Sequence, residues 1–302
     1  VIYTVDDADV LIERAALAPR RARWHVIVVE DVDRFQLNAV PKLLRAIEEP
    51  PPRTVWVLCS PTTEDVLPTV RSRCRHVVLN SPRIDEIADQ LVSNLGIPAE
   101  TAMFAATVSQ GHIGRARALA IDEATRQRRR EVLDIPSALG TVGSCFAAAA
   151  AVVETATREA DAIIAPLDQA DDAAVRVTFG EGAEGVRNVD RTIKRELKLL
   201  EKRTRARSRR ILFDQFDRVL LDLMGYYRDV LVLQLGSDVT LINSDVADSI
   251  RRTAAADDDA GTLRRVAAIR EARDQIQANV NPQTVFESLF VALRDATLVT
   301  HR

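Results

Sequence analysis

Residues 24–60 have the sequence WHVIVVEDVDRFQLNAVPKLLRAIEEPPPRTVWVLCS. The short apolar runs at residues 24–29 and 55–59 are rich in β-branched side chains, which is typical of parallel strands buried on both faces. Between them, residues 37–47 place apolar side chains at helical spacing, and three consecutive prolines end that helix. Because proline is tolerated only near the start of a helix, we expect Pro41 in about the first turn. The stretch predicts a strand–helix–strand unit with parallel strands.

The flanking residues extend this unit on both sides. A helix is predicted over residues 6–18, ending before Pro19, and a short helix is predicted to run to Arg71. Residues 76–79 are apolar and read as a third strand. We therefore assign residues 1–80 to one α/β domain built on a parallel sheet.

From Ser81 onward the pattern indicates helices only. Ser81 and Pro82 are predicted to cap and open a helix that ends at Gly96. A second helix is predicted over residues 98–109, and a third follows Gly111. Residues 81–123 are therefore predicted to form a compact three-helix domain.

The remaining residues, 124–302, are predicted to form an all-helical domain. An alanine-rich helix is expected over residues 144–164, and the acidic stretch at residues 166–185 is expected to be a loop. A long helix is predicted to begin near Val189, and Asn281 with Pro282 to cap the last one. The predicted fold class is therefore α/β plus all-α.

The composition narrows the classes of function. The 302 residues are 47% apolar and 28% charged, with a net charge of −3, which describes an ordinary globular protein rather than a disordered or all-surface nucleic-acid-binding one. No long apolar run is present, so we expect a cytoplasmic protein with no membrane partner. The three cysteines (Cys59, Cys74 and Cys145) are spaced too widely for a zinc pair. We expect reduced core thiols and no metal site.

Glu30 and Asp31 follow the first apolar strand, which is the layout of a Walker B element that holds Mg²⁺ at a nucleotide. A solvated acidic turn at the end of a strand is the simpler alternative. The partner of a Walker B element is a glycine-rich loop ending in lysine, and none of the four lysines follows a glycine. As given, the sequence does not encode a self-sufficient P-loop ATPase.

Three segments together carry a more specific signal. The EEPP turn at residues 48–51, the strand VWVLC at residues 55–59 and the segment LPTVRSRC at residues 67–74 resemble the AAA+ clamp-loader family of DNA replication. The resemblance implies a partial AAA+ P-loop-type parallel sheet over residues 1–80, a three-helix lid over residues 81–123 and a helical collar over residues 124–302. The upstream third of the AAA+ domain is expected outside this sequence, which opens at Val1.

The resemblance also implies roles for individual residues. Arg73 matches the arginine finger of the SRC motif, which acts in trans on ATP bound by a neighbouring subunit, with Ser72 and Cys74 as its supports. Arginine suits this role because its planar guanidinium is always charged and binds phosphate oxygens in pairs. The alternative is that Arg73 forms a surface ion pair. Ser60 matches the sensor 1 position, and Gly114 matches the sensor 2 position, where motor subunits carry arginine.

The absent P-loop, the inverted order of Glu30 and Asp31, and Gly114 imply a non-catalytic subunit. ATP and Mg²⁺ are then expected on neighbouring subunits and no cofactor in this chain. The implied partners are a motor subunit, the clamp-opening delta subunit, the sliding clamp and, transiently, primer-template DNA. Three alternatives stay open: the C-terminal part of an ATP-hydrolysing motor subunit, another AAA+ DNA-remodelling protein, and an unrelated helical scaffold.

Two basic runs are candidates for phosphate contact. Residues 194–210 hold nine Lys or Arg against two Glu, and residues 126–130 hold four Arg. Phosphate neutralisation releases counterions and drives salt-dependent DNA binding. The alternative is a solvated basic helix face that meets acidic partner subunits. The residues singled out for phosphate or partner contact are Lys194, Arg195, Lys198, Lys202 and Arg203.

Overall fold

The computed structural model describes residues 3–17, 19, 22–179 and 191–295. The chain divides into two compact units, Val1–Asn80 and Ser81–Arg302, which we call the N-terminal unit and the C-terminal unit. The described part is mostly helical, with a small two-stranded parallel sheet in the N-terminal unit. No helix among the described residues has the length and apolar character needed to span a membrane.

The N-terminal unit has the strand–helix–strand core expected from its sequence. Its strands are parallel, with His25 opposite Thr54 and Val29 opposite Leu58. The elements of this unit are α1 (Val5–Ala15), β1 (His25–Val29), a 3-10 turn (Val32–Arg34), α2 (Val40–Glu48), β2 (Thr54–Leu58) and α3 (Pro68–Arg71).

Local sequence signals explain the helix boundaries of this unit. Thr4 caps α1, because its hydroxyl accepts the Asp7 backbone N–H while the Asp7 carboxylate accepts the Thr4 backbone N–H. This cap starts α1 one residue before the predicted range, and the helix ends at Ala15 rather than Ala18. Pro41 lies in the first turn of α2, as predicted, and this helix ends at Glu48, before the prolines.

Two predictions for the sheet are wrong. Residues 76–79 form no strand: Val77, Val78 and Leu79 are 73%, 77% and 88% exposed, and no strand among the described residues supplies their hydrogen-bond partners. The strands are also buried on one face only. Ile27 and Val29 lie in the core of the N-terminal unit, whereas Val26 and Val28 on the opposite face of β1 are more than half exposed.

The C-terminal unit begins with three helices that share one apolar core, as predicted. Ser81 and Pro82 do not cap the first of them as predicted. Arg83 is the N-cap residue instead, and its backbone N–H donates to the Glu86 carboxylate at 2.9 Å. Gly96 ends this helix in the left-handed conformation, with φ of 65°. The three helices are α4 (Ile84–Leu95), α5 (Ala99–Ser109) and α6 (Ile113–Ile121).

Six further helices among the described residues of the C-terminal unit share a second apolar core. Asn281 caps the last of them, its side chain accepting the Gln283 backbone N–H, as predicted. The side chains of Phe216, Leu223, Phe286 and Phe290 are fully buried in this core. The helices are α7 (Glu123–Ala138), α8 (Val142–Phe179), α9 (Arg191–Gln234), α10 (Ala247–Ala256), α11 (Asp259–Gln277) and α12 (Pro282–Arg294).

The acidic stretch predicted as a loop is helical over most of its length. α8 continues through Pro166 to Phe179, and the rest of the predicted loop lies outside the described residues. The acidic side chains are used for pairing between helices: Arg207 on α9 lies 2.9 Å from Asp168 and 2.8 Å from Asp171. Asp168 and Asp171 therefore lie on a helix and form ion pairs with α9, instead of lying in the predicted loop.

Candidate functional site

The predicted finger segment lies at the end of α3. The backbone N–H groups of Ser72 and Arg73 donate to the carbonyls of Pro68 and Val70, at 2.9 and 3.0 Å, so the segment continues the short helix as a final turn. Cys74 is half-buried against the core of the N-terminal unit. Burial raises the pKa of the Cys74 thiol, so this side chain stays protonated and apolar at neutral pH.

Arg73 is held by two acceptors. Its Nε donates to Glu48 Oε2 at 2.7 Å, and its Nη1 donates to the Thr69 carbonyl at 2.9 Å. The Ser72 hydroxyl donates to the same carbonyl at 3.3 Å. The Arg73 side chain is 32% exposed and that of Glu48 is 55% exposed, so this ion pair is in contact with solvent. The guanidinium is therefore oriented by its own unit while one side stays accessible.

The predicted Walker B pair, Glu30 and Asp31, lies with Ser60 at the carboxyl edge of the sheet. Glu30 follows the last residue of β1, and Ser60 comes two residues after the end of β2, where its hydroxyl donates to the Thr62 carbonyl at 2.8 Å. Asp31 adopts the left-handed conformation, with φ of 49°, and begins the 3-10 turn. Because the paired strands are parallel and end in register, these residues share the carboxyl edge of the sheet.

Topology separates this edge from Arg73. The chain must return from the end of β1 to the start of β2, and α2 makes that return. Glu48 at the end of α2 therefore lies towards the amino edge of the sheet, about 13 Å along the helix from its start. Because Arg73 is bonded to Glu48, Arg73 and the carboxyl edge lie at opposite ends of the N-terminal unit.

The described residues offer little for binding a metal ion. No group of three or more His, Cys, Asp or Glu side chains in the described ranges is placed to hold one. The carboxylates of Glu30 and Asp31 supply the oxygen ligands that Mg²⁺ prefers, but their order is inverted and a third ligand is not provided by the described part of the chain.

Gly114 lies in the first turn of α6, where a Cβ would meet the His112 ring at 3.2 Å. The adjacent Arg115 pairs with Asp222 of α9. Burial raises the pKa of Asp222, and the charges of Arg115 and Arg129 act in the opposite direction. Arg115 is thus part of the interior of the C-terminal unit.

Three arginines of the run at residues 126–130 form ion pairs within the C-terminal unit. Arg129 is 3% exposed and donates to Asp245 at 2.8 Å and to Asn243 at 2.6 Å. Its guanidinium also stacks on the Phe104 ring at 5.5 Å from the centroid. Arg126 and Arg128 pair with neighbouring acidic residues on the same helix or on α8. Three of the four arginines are therefore committed to the fold.

The second basic run lies only partly within the described structure. α9 begins at Arg191, so the backbone of the run is helical. The side chains of Lys194, Arg195, Lys198, Lys202 and Arg203 lie outside the described residues.

A pocket of about 200 Å³ lies between α2, α3 and the sheet. Its walls are apolar, and two polar atoms in them, Asp33 Oδ1 and Trp56 Nε1, are buried with no hydrogen-bond partner among the described residues. Sequence reasoning missed these atoms, because both residues read as ordinary members of a turn and a strand. It also missed the partners of Arg73: Glu48 was part of a quoted motif, but spacing gave no sign that it meets Arg73.

Residues 2–83 match the family model described as "DNA polymerase III, delta subunit". Over 72 residues the chain is 36% identical to DNA polymerase III subunit gamma/tau of Mycobacterium tuberculosis, a match that covers 24% of this chain and 12% of that protein. Over 73 residues it is 33% identical to DNA polymerase III subunit delta' of Bacillus subtilis, covering 24% of this chain and 22% of that protein.

The N-terminal unit is similar to clamp-loader subunits of DNA polymerase III. The chain thus spans only about an eighth to a fifth of the length of these curated relatives, with coverage of 12% and 22%. A solved structure of a DNA polymerase III gamma subunit-related protein from Thermotoga maritima aligns with 97% of this chain at 16% identity, with a TM-score of 0.42, which is too low to establish a common fold. The range matched by the family model, residues 2–83, includes the EEPP and SRC segments from which the clamp-loader resemblance was drawn.

Proposed function

We propose that this chain is a non-catalytic clamp-loader subunit, of the delta-prime type, that presents Arg73 in trans to ATP bound by a neighbouring motor subunit. The observation that carries the proposal is the position of Arg73 at the end of the unit opposite Glu30, Asp31 and Ser60. An arginine placed there does not reach the carboxyl edge of its own sheet. It is suited to a nucleotide held by another chain.

The chemistry of Arg73 suits phosphoryl transfer. A fixed guanidinium stabilises the negative charge that develops on the transferred phosphoryl group, and such a finger contributes about 10³–10⁵ in rate. The Thr69 carbonyl accepts from Nη1 and orients Arg73, while 32% of the Arg73 side chain stays exposed for contact with another subunit. Preorganisation of this kind lowers the cost of reorganising the site during the reaction.

The delta-prime assignment rests on two further features. Gly114 carries no charge at the sensor 2 position, and the neighbouring Arg115 is paired with Asp222. The chain is 33% identical to the Bacillus subtilis delta' protein over 73 residues, and the family model that matches residues 2–83 spans the finger segment. In this proposal the partners are a motor subunit, the delta subunit, the sliding clamp and primer-template DNA, and ATP with Mg²⁺ belongs to the motor subunits.

The test is the DNA- and clamp-stimulated ATPase of a reconstituted loader that contains this protein as wild type or Arg73→Ala. We expect the rate to fall at least tenfold, which corresponds to about 1.4 kcal/mol of transition-state stabilisation. Arg75→Ala is the matched control, because Arg75 is an exposed arginine two residues further on. An unchanged rate in a fully assembled Arg73→Ala complex would contradict the proposal.

A second candidate is favoured by one observation. The matches to gamma/tau proteins have 36% identity over 72 residues, higher than the 33% of the delta' match. In this second candidate, the chain is part of an ATP-hydrolysing motor subunit. The ATPase activity of the natural protein in isolation separates the two candidates: hydrolysis that is lost on substitution of a P-loop lysine supports the motor, and a rate at background supports the non-catalytic subunit.

A further inference from the structure

The ion pair between Arg73 and Glu48 places a negative charge at the group that is proposed to bind phosphate. The carboxylate Oε2 lies 2.7 Å from Nε of Arg73. The two residues are 25 positions apart, so the contact comes from the packing of α2 against α3 and not from local chain geometry. Glu49, the neighbouring residue of the same motif, is exposed and forms no hydrogen bond or ion pair with Arg73 in the described part of the chain.

The hydrogen bonds of Arg73 involve two of the three nitrogens of its guanidinium. Nε is taken by Glu48 and Nη1 by the Thr69 carbonyl, whereas Nη2 has no hydrogen-bond partner in the described part of the chain. A phosphate that binds arginine side-on uses Nε and Nη2 together. Glu48 therefore occupies one of the two N–H groups that side-on binding of a phosphate uses.

We infer that Glu48 is a positioning residue that holds Arg73 in a retracted state and must release Nε before the finger can engage a phosphate. This inference rests on the proposed function. In the retracted state the charge of Arg73 is neutralised and its rotamer is fixed, so weakly charged anions in solution do not capture it. A nucleoside triphosphate in a closed subunit interface carries enough negative charge to displace the Glu48 carboxylate.

The expected size of the effect follows from the exposure of the pair. An ion pair whose side chains are 32% and 55% exposed is weak, so its loss changes phosphate binding only a few-fold. Displacing Glu48 costs free energy when Arg73 engages the bound nucleotide. This free-energy cost is the same in the bound state and in the transition state. An interaction that affects both states equally changes KM and leaves kcat unchanged.

The test compares Glu48→Gln with Glu49→Gln in the reconstituted loader, each with wild-type Arg73 and with Arg73→Ala, over a range of ATP concentrations. Glu48→Gln keeps the size and one acceptor oxygen of the side chain but removes its charge. We expect it to lower KM for ATP about two- to fivefold with kcat unchanged, and to have no effect beside Arg73→Ala. Glu49→Gln should match the wild type in both backgrounds. Glu48→Ala should shift KM in the same direction as Glu48→Gln.

The outcomes separate this inference from the proposed function. If Arg73→Ala leaves the rate unchanged, the proposed function fails and the inference fails with it. If Arg73→Ala slows hydrolysis but Glu48→Gln leaves KM unchanged, the finger stands and the retracted state does not. If Glu48→Gln lowers kcat as Arg73→Ala does, Glu48 supports the engaged finger instead of restraining it, which also overturns the inference.

Discussion

The two units of this protein use the same chemical pair in opposite ways. In the N-terminal unit, Arg73 meets Glu48 with side chains that are 32% and 55% exposed. In the C-terminal unit, Arg129 meets Asp245 with side chains that are 3% and 14% exposed. Water can replace either partner in the first pair, whereas it cannot reach the second. The comparison teaches that burial, and not the identity of the charged groups, decides whether an arginine is available to a ligand.

The arrangement around Arg129 explains its permanence. Asp229, which is fully buried, accepts the backbone N–H and the side-chain amide of Asn243, at 2.7 and 2.9 Å. Asn243 in turn accepts from Arg129. Removal of the Arg129 side chain would leave Asp245 and the side-chain oxygen of Asn243 without this donor in a low-dielectric interior. By contrast, the exposed pair of Arg73 can be exchanged at little cost.

The chain provides separate probes for the two units. Both tryptophans, Trp24 and Trp56, lie in the N-terminal unit, so tryptophan fluorescence follows the unfolding of that unit. Circular dichroism at the helical minimum is dominated by the C-terminal unit, which contains nine of the described helices. Each variant below can therefore be assigned to the unit that it affects.

The largest effect is expected from Arg129→Ala. The substitution leaves Asp245 and Asn243 without their buried partner, which costs about 3–5 kcal/mol of unfolding free energy. Urea titration followed by circular dichroism should show this loss, while the fluorescence transition stays in place. Arg130→Ala, at the exposed next position, should change the free energy of unfolding by less than about 0.5 kcal/mol. Equal effects of the two variants would remove the distinction between buried and exposed arginines.

A smaller effect is expected from Tyr227→Phe at alkaline pH. Burial raises the pKa of Tyr227 well above its usual value of 10, so the folded protein retains a proton that the unfolded chain loses. Stability from this group is complete below pH 10 and is lost as pH rises from there, by about 1.4 kcal/mol per pH unit. The circular dichroism transition of the wild type should therefore weaken more steeply above pH 10 than that of Tyr227→Phe. Parallel slopes would show that Tyr227 ionises freely in the folded state.

The smallest effect is expected from Arg73→Ala on stability. The exposed pair with Glu48 contributes at most about 1 kcal/mol, so the fluorescence transition in urea should barely move and the circular dichroism transition should not move. Combined with the large loss of ATPase activity proposed for the same variant, this would mark Arg73 as a residue for function and not for folding. A loss above 3 kcal/mol would make Arg73 a structural residue like Arg129.

Some of the fold was accessible from local sequence signals. The three prolines after Glu49 end α2, Gly96 ends α4 and Asn281 caps α12, because each acts through the few residues around it. The failures involve partners that are distant in sequence. Residues 76–79 have the composition of a strand but no neighbouring strand among the described residues. The acidic residues Asp168 and Asp171 of α8 pair with Arg207 of α9, a contact that local sequence does not reveal.

The same division holds for the candidate site. The motif spacing pointed to Arg73 and its neighbours, but not to the contact with Glu48, which depends on how α2 packs against α3. For Arg129 a local signal did exist. Leu133 lies four residues further on, on the same face of α7, and is fully buried. An arginine on the face of a buried leucine is a candidate for the interior, whatever the charge of the run around it.

The one-sided sheet has a consequence for handling the protein. Each strand has a single partner among the described residues, so the outer backbone groups of β1 and β2 are open to strand addition. On the face away from the core, Val26, Val28, Val55 and Val57 are 40–58% exposed. A two-stranded sheet with an unpaired edge and a solvent-exposed valine face favours self-association. Purified alone, the N-terminal unit should therefore aggregate. A chain that pairs with the open strand edges should increase its solubility.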